Sequence, residues 1–255
     1  MSQEIRIATA FALPFELHLS LDRPFSSGRT IYFEFVGPDR PKESELRLVF
    51  ERFTRLAETG ALGSSIVRPE RSTVGPHSVT PTTAAIERCL VDERAAIVFA
   101  HLLLAHQDRL ALRSVTVKTA NQLELYSPEE NAPAGSTYPD LPKPLPFELI
   151  DERQAGSPGA RFTAMLTRDC GPDDAQALAA ALGAWAAAVN GGGYALAPLP
   201  PRDCHVETLA PVHAGARFEY AVTALRAAPE ALVGVVNIFT AFHHGCCPLE
   251  LLRIS

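Results

Sequence analysis

The sequence predicts an α+β sandwich (α/β in the broad sense) made of two like halves, and three observations predict it. The pentapeptide Leu13-Pro14-Phe15-Glu16-Leu17 recurs as Leu145-Pro146-Phe147-Glu148-Leu149, 132 residues later. The same spacing lays the helical face Leu46, Phe50, Phe53 and Ala57 on Leu178, Leu182, Trp185 and Val189, and it brings Gly60 onto Gly192, Pro69 onto Pro201 and Glu87 onto Glu219. Each half also reads, from hydrophobic period and turn punctuation, as β-α-β-β-α-β, the ferredoxin-like or split βαβ arrangement. The expectation is therefore a tandem duplication of a ferredoxin-like unit, with antiparallel-rich sheets and helices on one face of each.

An extra strand precedes each unit, because Leu13, Phe15, Leu17, Leu19 and Leu21 alternate with Pro14, Glu16, His18 and Ser20. In the first half, residues 29–36 form a β-rich run. Residues 41–59 form an amphipathic helix that starts near Asp39 and ends at Gly60. Residues 64–68 and 84–91 read as strands, 93–106 as a helix and 112–118 as a strand. The second half repeats the order: strand 161–167, then helix 174–189 opened by a capping box at Asp173 and Gln176. Strands 194–199 and 217–224, helix 229–244 and strand 249–254 complete it. The chain divides into a first repeat (1–118), a Pro-rich linker (119–144) and a second repeat (145–255). Helices on one side of a ferredoxin-like sheet leave its other face bare, so the expectation is that this face is buried by the other copy or by a homodimer mate.

Composition narrows the function. Of 255 residues 47% are hydrophobic, and 23 basic residues face 29 acidic ones for a net charge of -6, the excess of acids lying in the second half. A phosphate-tracking surface, and hence a nucleic-acid partner, is not expected. Neither a signal peptide nor a membrane-spanning segment is expected, because the longest apolar stretches, 95–105 and 231–242, are too short. Five unevenly spaced cysteines fit reduced thiols, and a cytoplasmic protein is the expectation.

Candidate chemistry is scattered. His243-His244-Gly245-Cys246-Cys247 reads as a helix C-terminus, with imidazoles against the dipole, Gly245 as a left-handed cap and Pro248 as the stop; a zinc site is not expected there, nor is any cofactor. Asp203-Cys204-His205 holds nucleophile and base types, yet three neighbours cannot form a base-assisted dyad among themselves. Cys170, just ahead of a helix, would have its thiol pKa lowered by the helix N-terminus, while Asp169, Asp173 and Asp174 push the other way, and it reads as a partly buried inert thiol. Arg40 and Lys42 lie where a helix N-terminus favours an anion. His18-Leu19-Ser20-Leu21 resembles the His-x-Ser/Thr-apolar motif of the two-histidine phosphoesterases, which would imply a duplicated fold with one such motif per half. The counterpart at the 132-residue spacing, Ile150-Asp151-Glu152-Arg153, has no histidine.

The helix around Ala177, Ala180, Gly183, Ala184 and Ala187 has no charge between residues 177 and 188, and a helix apolar all round is expected to be covered by a neighbour. These observations lead to the expectation of a non-enzymatic, cytoplasmic protein-binding module of the inhibitor, immunity or adaptor type, with a protein partner or a homodimer mate. The alternative is an enzyme or small-molecule binder with a pocket at the junction of the repeats, lined by His18, Arg40, Lys42, Cys204, His205, His243 and His244.

Overall fold

The computed structural model describes residues 12–20, 29–37, 42–63, 77–89, 95–119, 144–154 and 156–255. These residues form a mixed α/β fold of two mixed sheets and five α-helices. The first half contains β1 (Glu16–Ser20), β2 (Arg29–Val36), α1 (Glu43–Glu58), β3 (His77–Val79), β4 (Thr83–Cys89), α2 (Ala95–Ala105), α3 (Gln107–Leu110) and β5 (Ser114–Thr119). The second contains β6 (Glu148–Asp151), β7 (Ala160–Leu166), α4 (Pro172–Asn190), β8 (His205–Thr208), β9 (Val212–Ala214), β10 (Arg217–Arg226), α5 (Ala231–Gly245) and β11 (Leu249–Ile254). The first sheet runs β1-β5-β2-β4-β3 and the second β6-β11-β7-β10-β8, with β9 also paired to β10. In each sheet the strand at the start of the order pairs parallel with its neighbour, and the other pairings along the order are antiparallel.

Alternation along the strands explains how the sheets are covered. In β2, Ile31, Phe33 and Phe35 are buried while Tyr32 and Val36 are exposed; in β7, Ala160, Phe162, Ala164 and Leu166 are buried while Met165 is exposed. The buried face of the first sheet carries α1 and α2: Phe33 meets Phe50 and Phe99 with ring centroids 4.8 Å apart in both cases. The buried face of the second carries α4 and α5, through Trp185 against Tyr220 and Phe239 against Phe162. The helices of one half then meet those of the other, α1 against α4, within one cluster of buried side chains that draws on both halves.

This order of layers, sheet, helices, helices, sheet, corrects the expectation that a bare sheet face is hidden by the other copy. The helices need burial on two sides, and each helical layer supplies the other's second side. For α2, buried from Ala95 through Leu103, this accounts for a run of apolar residues with no polar face. Among the described residues, no helix is long and apolar enough to cross a membrane.

Several element readings need correction. Leu196 and Leu199 form an isolated bridge where a strand over 194–199 was expected, and the second half's edge strand lies later, at β8. Pro198, Pro200 and Pro201 have no N–H to give a ladder. α4 begins with Gly171 as N-cap and Pro172 in the first turn, with no side-chain cap bond, so the Asp173/Gln176 capping box does not form. Gly245 is the last residue of α5, and Cys246 (φ -129°) caps it, so there is no left-handed glycine there. α3 and the short strands β3 and β9 have no counterpart among the expected elements. Residues 64–68, Asp39 and most of the linker lie outside the described residues. The left-handed glycines after α1 and α4 do occur at matching positions, Gly60 (φ +79°) and Gly192 (φ +90°).

Candidate functional site

The residues singled out by chemistry do not share one place. His18 is on edge strand β1, half-buried, 3.2 Å from Glu16 on its own strand. Lys42 is the exposed N-cap of α1, and Arg40 lies outside the described residues. Cys204 is buried at the end of a 3-10 turn, Pro201–Asp203, and exposed His205 opens β8, 3.5 Å from Glu207. His243 and His244 have rings 5.0 Å apart at the end of α5, beside Phe147. The Leu249 amide at the start of β11 donates to His243 Nδ1 at 2.9 Å. β11 and β8 are separated by β7 and β10 in the sheet order, so two whole strands lie between the strand that His205 opens and the one His243 bonds. Among the described residues, no group of three or more His, Cys, Asp or Glu side chains is placed to hold a metal ion.

Burial weighs against Cys170 and Cys204 acting as thiolates. Burial, with Cys247, Asp174 and Cys246 nearby, pushes the Cys170 thiol up to about 11 against the opposing effect of Arg168. Burial, with Asp203 adjoining, pushes Cys204 up to about 11 as well. Burial and its neighbour His244 lower His243.

A polar chain that sequence spacing does not reveal lies where the halves meet. His106, between α2 and α3, is bonded to Glu45 of α1 at 2.8 Å and to Arg52 of α1 at 3.1 Å, and Arg109 of α3 donates to Glu45 at 2.9 Å. Contacts 54 to 64 residues apart leave no local pattern; the one hint is a charged pair, Glu45 and Arg52, two turns apart on one helical face. Arg109 and His106 hold the Glu45 carboxyl below its usual range despite the opposing effect of desolvation, the largest single influence on it. Nearby, His101 of α2 is fully buried and hydrogen-bonded to the Gly193 backbone. Asn237 of α5 donates to the Ala61 carbonyl at 3.2 Å, a second polar tie across the seam.

α4 is not apolar on a fully covered surface. Leu178, Leu182, Trp185, Ala188 and Val189 are buried, but Ala177, Ala180, Gly183 and Ala187 are exposed and Ala184 is half-buried. Its outward face is thus a strip of alanine and glycine in solvent. The chain matches no protein-family model and shows no significant similarity to any curated protein.

Proposed function

We propose that this chain is a cytoplasmic, non-enzymatic protein-binding module of the inhibitor, immunity or adaptor type, made by tandem duplication of a ferredoxin-like unit with an added N-terminal strand. The duplication is supported by the common strand order of the two sheets, the eight buried residues related by the 132-residue spacing, and the left-handed glycines at Gly60 and Gly192. The observation that carries the binding reading is the outward face of α4: Ala177, Ala180, Gly183 and Ala187 are open to solvent without a charge among them. Such a face lets another backbone approach closely and costs little side-chain entropy to cover. A pocket at the junction has less support, because side chains already fill the seam. A Cβ at Gly191 or Gly193 would lie 3.1 Å from Arg52 or Val98.

The test is affinity capture with wild-type chain and with the Ala180→Arg variant as bait. A partner held by the wild type and lost by the variant, while Glu51→Ala on α1 keeps it, is the expected result. Identical capture by all three baits would rule out α4 as the contact surface.

A further inference from the structure

We draw no further inference here: the strongest candidate, the thiol cluster of Cys170, Cys246 and Cys247 where the start of α4 meets the end of α5, carries nothing, because the three sulfurs share neither a disulfide nor a hydrogen bond and their nearness shows only in the raised thiol pKa of Cys170 and Cys246.

Discussion

α1 and α4 occupy equivalent places in their halves and differ almost entirely on the outside. Their inward residues, Leu46, Phe50, Phe53 and Ala57 against Leu178, Leu182, Trp185 and Val189, are all buried. Outward, α1 presents Arg47, Glu51, Arg55 and Glu58, whereas α4 presents Ala177, Ala180, Gly183 and Ala187. The spacing of 132 sets Glu45 and Arg52 of the polar chain opposite Ala177 and Ala184. A core position answers to volume and to both helical layers at once, so its character persists between the halves. An outer position answers to solvent or to a partner, and there the halves differ.

Removing the large residue at the matched core position should damage both halves alike. Trp185 is fully buried and donates its indole N–H to the Ala231 carbonyl at 2.8 Å, and Phe53 fills the same place in the first half against Phe99. Trp185→Ala and Phe53→Ala are each expected to lose about 3–5 kcal/mol in urea denaturation. A loss confined to one of them would break the equivalence of the cores.

The seam should be unequal in its response to acid. Burial lowers His101 to about 4, against an ordinary histidine value of about 6.5. The folded state therefore disfavours the proton that the unfolded chain takes up. This contribution is fully present above about pH 6.5 and is lost as pH falls toward about 4, up to ~3 kcal/mol in all. The residue at the matching position is Val233, which cannot titrate. Stability measured from pH 7 to 4 should fall less steeply in His101→Leu; an unchanged slope would place the acid sensitivity elsewhere.

Two glycines sharpen the contrast between inside and outside on α4. Gly192 has φ +90°, and a Cβ there would lie 2.7 Å from the Pro201 carbonyl oxygen, so Gly192→Ala is expected to cost about 1–3 kcal/mol. At Gly183, in mid-helix, a Cβ meets nothing within 4 Å. Gly183→Ala should therefore stabilise the isolated chain by about 0.5–1 kcal/mol through helix propensity alone. Destabilisation by Gly183→Ala would mean that something already covers this face.

How much the sequence discloses depends on where the determining contacts lie. β11 begins and ends at the residues expected, because its alternation follows directly after Pro248. α1, α2, α4 and α5 fall within two residues of expectation at each end, since their apolar periods are long. The run at 194–199 differs from the expected strand because only Tyr194 and Leu196 keep the alternation, while the prolines at 198, 200 and 201 cannot pair. β3 and β9, three residues each, are too short to show a period. The Glu45, His106 and Arg52 chain depends on the α2–α3 junction returning to α1, a tertiary fact whose only local trace is the Glu45 and Arg52 pair on one helical face. The open face of α4 was legible as composition, but which of its residues face solvent was not.

The most direct test is hydrogen–deuterium exchange across the chain, alone and saturated with a captured partner. Protection gained on α4 and its flanking turns, with α1 unchanged, is the expected result. Protection gained on α1, or on an outer sheet face with α4 unaltered, would contradict the account.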